Sequence, residues 1–420
     1  MDRIKLKDAV RFSNSRISYS DLKCETYIST DNLLQNKQGF TATEKLPASM
    51  LNTPRYFEGN ILVSNIRPYL KKIYYAKQEG GVSSDVLTFV VNKDFNSKYI
   101  FYNLLQDKFF DHMMAGSKGT KMPRGDKNQI LDFELLNYDI QTQKKIASVL
   151  SALDDKIELN NKINIELAQM AKTLYDYWFV QFDFPNEEGK PYKSSGGEMV
   201  YNDVLKREIP IGWEVKSLYQ IANFINGLAC QKFRPESESD DYLPVIKIRE
   251  MNDGISKNTE KVKVDIPEKN IIKDGDVLFS WSATLDVKIW TEGNAGLNQH
   301  IFKVTSEKYP RSFYYFQTLN YLQHFKMMAE LRKTTMGHIT KDHLMKSYIP
   351  IPPMQIINTL DEKLNPILEK IISNKKQNQE LATLRDWLLP MLMNGQVSVG
   401  ESEGEVLSLV AEERREYKKN

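Results

Sequence analysis

QTQKKIASVLSALDDKIELNNKINIELAQMAKTLYDYW (Gln141–Trp178) decides how this chain of 420 residues is read. Its seam positions fall alternately four and three apart: Ile146, Leu150, Leu153, Ile157, Asn160, Asn164, Leu167, Ala171, Leu174 and Trp178. A seven-residue repeat of this kind keeps one stripe turned toward a partner, so it predicts a long helix with a coiled-coil seam. The same stripe returns 214 positions later as Leu360, Leu364, Ile367, Ile371, Asn374, Asn378, Leu381, Arg385, Leu388 and Leu392. Pro366 interrupts the second copy and predicts a kink there, or a helix that starts there with Asn365 as its cap.

A lone amphipathic helix usually packs on its own domain. Two asparagines in each stripe shift the balance. A buried seam asparagine costs stability, and its best-attested use is to set register and partner choice. Matching pairs on matching helices therefore predict that the helices meet each other. Antiparallel pairing would join the asparagines in the middle and send the globular parts to opposite ends. About 33 helical residues would then make a spacer of roughly 50 Å.

Working outward, the stretches before each helix also match. Gly119–Leu135 (GTKMPRGDKNQILDFEL) aligns with Lys333–Ile349 (KTTMGHITKDHLMKSYI), with Thr120, Met122 and Lys127 facing Thr334, Met336 and Lys341. Glu58–Asn65 resembles Asp274–Trp281, Ser83–Val91 resembles Asn298–Ser306, and Arg3–Phe12 resembles Val215–Phe224. An ordered set at a nearly constant offset is a duplicated domain, not a short-period solenoid. The expected fold is mixed α/β (α+β): two globular domains separated by two long antiparallel coiled-coil-like helices, related by a pseudo-twofold internal repeat. The expected boundaries are 1–140 for the first globular domain, 141–184 for the central helical spacer and 185–210 for a Gly-, Ser- and Glu-rich linker. The second globular domain takes 211–354, the second helical spacer 355–395, and a charged tail 396–420.

Composition sets the class and little more. Hydrophobic residues are 41% and charged residues 27%, as in a protein with real cores. No apolar run reaches the ~18–20 residues of a membrane span, and MDRIKLKDAVRF lacks a signal-peptide hydrophobic region. Cys24 and Cys230 match no metal or redox spacing, so reduced thiols in a cytoplasm are expected. The five histidines show no metal-ligand spacing either, and His300 and His324 read as ordinary partly buried residues. With 57 basic against 55 acidic residues the net charge is only +2, so any nucleic-acid face must concentrate its cations.

Two basic loops are candidates for such a face. One carries Lys118, Lys121, Arg124 and Lys127; its counterpart carries Arg332, Lys333, Thr334, Thr335, His338 and Lys341. Basic side chains among Gly, Ser and Thr suit phosphate contacts, and Arg or Lys also reads guanine edges. A second patch follows the GNILVS strand with Asn65, Arg67, Tyr69, Lys71 and Lys72, matched by Ser280, Trp281, Ser282 and Thr284. Either could be a plain solvated loop; equivalence in both halves favours function. The aromatic runs Tyr99–Leu105 and Ser312–Leu319 have helical spacing and read as core.

Taken together, GNILVSNIRPYLKK, GDVLFSWSATLDVKIW, EIPIGWEVKSLYQIANFING and YIPIPPMQ resemble the specificity subunit of type I restriction–modification systems, over nearly the whole chain. The first half departs from the pattern, with LNYDI at Leu136–Ile140 in place of a proline-rich lead-in. The resemblance implies two target-recognition domains, each reading one half of a bipartite, asymmetric double-stranded DNA site. It implies that the helices set the gap and dock two modification (methyltransferase) subunits, to which restriction (motor/endonuclease) subunits add. S-adenosylmethionine, ATP and Mg²⁺ then belong to the partners, and this chain needs no cofactor or metal and carries no catalytic residue. An enzyme with its own recognition domain is the rival, yet no phosphate loop, glycine-rich cofactor fingerprint or Asn-Pro-Pro-aromatic motif occurs. A protein-binding coiled-coil scaffold is the other rival, and it predicts no salt-dependent DNA affinity. A related subunit of a different restriction type is a third.

Overall fold

A computed structural model describes residues 2–47, 51–119, 121–237, 239–331 and 338–400. The chain divides into two compact units, Met1–Glu158 with Glu380–Asn420, and Leu159–Gln379. The long helices run Ile140–Phe179 and Met354–Met393, 40 residues each, so each unit takes a stretch of both.

In the first unit the strand order is Val10–Phe12, Val86–Val91, Ile61–Ser64, Ile73–Tyr75, all antiparallel. Ile61–Ser64 is buried along its whole length, which explains its unbroken apolar run. Alternation survives inside that run. Ile61 and Val63 face a core with Phe89, Phe109 and the long helices, whereas Leu62 faces a second cluster with Ile28, Leu33 and Tyr56. Each such side chain contributes ~1.5–3 kcal/mol by leaving water.

The second unit repeats the order with Asn223–Asn226, Ile301–Thr305, Val277–Ser280 and Asp286–Ile289. Val277 and Phe279 face the larger core and Leu278 a smaller one, the same two-sided division. Sheet order, strand spacing and two-faced burial therefore coincide between the halves. The aromatic runs are core in both: Tyr99, Tyr102, Phe313 and Phe316 are buried.

Both long helices serve their own units as well as each other. In the first unit Ile146, Ala147 and Leu150 share a core with Leu389, Leu392 and Met393. In the second, Ala171, Tyr175, Trp178 and Phe179 pack with Leu360, Leu364 and Leu368. Leu153 is buried, while Ile157, Leu167, Ile367, Ile371 and Leu381 are half-buried along the seam. Within the second unit Asn160 donates to Asn378 Oδ1 at 2.9 Å and Asn374 donates to Asn164 Oδ1 at 2.9 Å, which is an antiparallel register.

Two expectations are corrected. The second helix passes through Pro366 without a break, and Asn365 is no cap: its Oδ1 accepts from Arg311 Nη2 at 2.9 Å. The helix begins instead after Pro353, whose carbonyl accepts from Ile356. The first helix, lacking prolines, is capped by Asp139, whose Oδ1 accepts from the amides of Gln141 and Thr142.

Residues 185–210 are not a loose linker. Met199–Asn202 and Arg207–Pro210 form an antiparallel hairpin. Asp183 accepts from the Ser194 amide and hydroxyl, and Tyr192 stacks on Phe184 at 4.7 Å. Phe179, Phe182 and Phe184 surround Trp213. Gly and Ser mark real turns here, but aromatics flanking the segment supply a core that composition within it does not reveal.

Candidate nucleic-acid interface

The two loop patches converge in each unit. In the first, the Asn65 amide donates to the Asp85 carbonyl at 2.8 Å, and Gly125 donates to the Asn65 carbonyl at 3.1 Å. The Arg67 amide donates to the Pro123 carbonyl at 2.8 Å, and Lys118 and Arg124 exchange two bonds of 3.0 Å. The approach is close: a Cβ on Gly125 would sit 2.9 Å from Asn65 Oδ1 and would have to push that side chain aside. In the second unit Trp281 donates to the His300 carbonyl at 3.3 Å and Ile339 donates to the Trp281 carbonyl at 2.9 Å. One backbone junction thus joins the end of a central strand to the basic loop twice over.

The side chains on the two junctions differ. In the first unit Arg124 Nη2 lies 2.9 Å from Asp85 Oδ1. Lys118 approaches Asp126 at 3.5 Å, and Asp126 caps the short helix Lys127–Leu131 by accepting from Asn128 and Gln129. Those amides hold its carboxyl below the ordinary range. Lys127 sits over the Phe12 ring at 5.4 Å, and Lys121 is exposed. Arg67 and Lys71 flank the turn Pro68–Leu70 with φ of 50° and 51°. Left-handed backbone at non-glycine residues costs of order 1–3 kcal/mol each and concentrates at functional sites.

Two predicted cations are already engaged. Lys71 pairs with Asp107 at 2.8 Å, beside Lys37 at 2.6 Å, and Lys72 donates to the Thr30 carbonyl at 2.5 Å. Burial pushes the Lys72 ammonium below its ordinary value. These two tie loops down, so the candidate cations of this unit that stay exposed are Arg67, Lys118, Lys121, Arg124 and Lys127.

In the second unit the junction is aromatic. Trp281 is flanked by His300 at 5.4 Å and His338 at 5.5 Å, and its Nε1 donates to Asn226 Oδ1 at 3.2 Å. Ser280 and Ser282 are buried; the Ser280 hydroxyl donates to the carbonyl of exposed Thr284 at 2.6 Å. Lys341 begins the helix Lys341–Lys346 and lies over the Tyr219 ring at 4.6 Å. Arg332, Lys333, Thr334 and Thr335 lie outside the described residues.

The junctions also hold Asp85 and Asn226, which were not candidates in the sequence, and His300, which is half-buried as expected. A signal existed: Asp85 and His300 occupy the same place just before the matched strands Val86–Val91 and Ile301–Thr305. Among the described residues no cluster of His, Cys, Asp and Glu suits a metal ion, and no helix is long and apolar enough to cross a membrane.

Residues 6–169 and 210–383 each match the family described as the type I restriction modification DNA specificity domain. The chain is 28% identical over 318 residues to the type I restriction enzyme MjaIX specificity subunit of Methanocaldococcus jannaschii, covering 73% of this chain and 70% of that one. It is 25% identical over 460 residues to the HindI specificity subunit of Haemophilus influenzae, covering 93% and 98%. Its fold is similar to that of a type I system S subunit from M. genitalium, with a TM-score of 0.57 and 13% identity over 93% and 96% of the two chains. Each family match spans one globular part and most of the helix that follows it, as a tandem duplication requires. The chain therefore belongs to the type I restriction–modification specificity subunits, whose part in the complex is DNA recognition and not catalysis.

Proposed function

We propose that each globular domain reads one half of a bipartite, asymmetric DNA site, while the paired helices set the gap and dock two modification subunits. Restriction subunits then add to that assembly, and S-adenosylmethionine, ATP and Mg²⁺ are used by the partners in the cytoplasm. One observation carries this reading. The same strand-end junction occurs in both units, yet it displays Asp85 and Arg124 in one and Trp281, His300 and His338 in the other. A shared frame with unlike side chains fits two unlike half-sites, so the site is not a palindrome. Tethering the domains raises the effective concentration for the second half-site only where the gap is right.

Mapping methylated positions in the host genome tests this directly. Two unlike half-sites at one fixed gap are expected; a contiguous or palindromic site overturns the proposal. A second test replaces Lys121 and Arg124 by Ala in the assembled complex. Affinity should fall, and the salt dependence should flatten by about one unit of slope for each phosphate no longer neutralised. Unchanged affinity and site choice removes this loop from the interface.

A further inference from the structure

Arg124 differs from the other cations around it. Lys71 and Lys72 are held by Asp107 and the Thr30 carbonyl, and Lys118 is 86% exposed with its nearest acidic group 3.5 Å away. The Arg124 backbone pairs with Lys118, and its guanidinium Nη2 lies 2.9 Å from Asp85 Oδ1. More than half of its side chain still faces solvent. A guanidinium is a rigid plane with five N–H donors, so a carboxylate on one nitrogen leaves the remaining donors aimed in a set direction. Asp85 also offsets part of the charge that a phosphate would seek while leaving those donors in place. A guanidinium also pairs with phosphate, but one already part-neutralised by Asp85 has less charge to offer it. Such a group is well matched to guanine, which offers O6 and N7 side by side in the major groove.

We infer that Arg124 reads a guanine in the half-site of the first domain, with Asp85 as the positioning residue that aims it. The inference rests on the reading that this loop meets DNA. At the equivalent places the second domain has His300 and His338 flanking Trp281, so it does not read guanine there by the same pair.

The test uses the full subunit co-expressed with its modification subunits, and duplexes carrying the mapped site with each base pair replaced in turn. Methylation rates for Arg124→Ala, Arg124→Lys and Asp85→Asn are compared with the parent. Both Arg124 variants should lose about tenfold or more of the discrimination at one guanine of the first half-site. Asp85→Asn should lose less, at the same base pair. Discrimination in the second half-site should stay unchanged in all three, which also shows that the variants fold. If Arg124→Ala slows methylation equally on every duplex and Arg124→Lys restores it, Arg124 binds a phosphate; the inference is overturned while the loop stays in the interface. If Arg124→Ala relaxes the guanine but Asp85→Asn does not, Asp85 has no positioning role. If neither substitution changes anything, the inference and the proposed placement of the loop fall together.

Discussion

Asn374 donates its side-chain amide to Asn164 Oδ1 at 2.9 Å, with Asn374 only 2% exposed in the helix seam. Asn164 in turn donates to the Ile371 carbonyl at 3.5 Å, and Asn160 donates to both Gln377 and Asn378. A neighbouring pair of asparagines therefore forms a small ladder that only one antiparallel register satisfies.

Replacing Asn374 alone by Leu strands the Asn164 carbonyl in that seam and should cost about 1–3 kcal/mol. The double substitution Asn164→Leu with Asn374→Leu should recover most of the loss, since two apolar groups need no partner. Denaturant midpoints of the two singles and the double decide the matter. Additive losses in the double would mean that the pair does not act as a unit.

Arg385 occupies a seam position where the first helix has Ala171. It pairs with Asp154 at 2.7 Å, and the Tyr102 hydroxyl donates to the other Asp154 oxygen at 2.7 Å. Burial alone would lower the Arg385 pKa, but Asp154 and Asp386 together more than offset this and raise it. Arg385→Leu should destabilise the first unit by about 1–3 kcal/mol, less than a fully buried pair would lose because solvent still reaches both groups. Thermal unfolding checks this; a gain in Tm would show that desolvation outweighs the pairing.

Asp107 predicts an acid limb of stability. Burial pushes its carboxyl up, but Lys37 and Lys71 together bring it from an ordinary 3.8 down to about 2. A carboxyl depressed in the folded state contributes stability above its unfolded pKa, and that contribution is lost as pH falls. The window is therefore from about pH 4 to about pH 2. The difference in unfolding free energy between parent and Asp107→Asn should be constant above that window and shrink through it.

The two thiols should react at different rates. Cys230 is buried, and burial raises its thiol to about 11, whereas Cys24 is half-buried. The thiolate is the reactive form. A disulfide-exchange reagent at pH 8 should label Cys24 first and reach Cys230 only on unfolding; equal rates in the native protein would contradict this burial.

Trp213 anchors the hairpin that composition disguises. Its ring lies 5.2–5.9 Å from those of Phe182, Phe184 and Phe179. Trp213→Ala should cost about 3–5 kcal/mol and open residues 185–210 to limited proteolysis. Cleavage there in the parent protein at the same rate would mean that the hairpin is not held by this ring.

The duplication, the two long helices and the two mixed α/β globular halves were legible in the sequence because each is a local pattern. Seven-residue spacing follows from 3.6 residues per turn, and runs such as ILVS and VLFS are what a strand buried on both faces requires. Duplication is visible because both copies obey the same packing constraints. A helix start at Pro366 fails for a related reason: propensity is local, and here the helix already runs from Met354, with Leu364, Ile367 and Leu368 packed on either side of the proline.

Which candidate cations stay exposed was decided only by the tertiary structure. Lys71 and Arg124 look alike as basic residues in Gly- and Pro-bearing loops. Folding gives Lys71 to Asp107 and sets Arg124 beside Asp85, still exposed. Electrostatic pairing depends on distance in space, which falls off over a few ångströms and has no period along the chain. Sequence by itself therefore determined the frame, through periodicity and repetition. Folding decided the surface it presents, because partners distant in sequence consume some charges and leave others exposed.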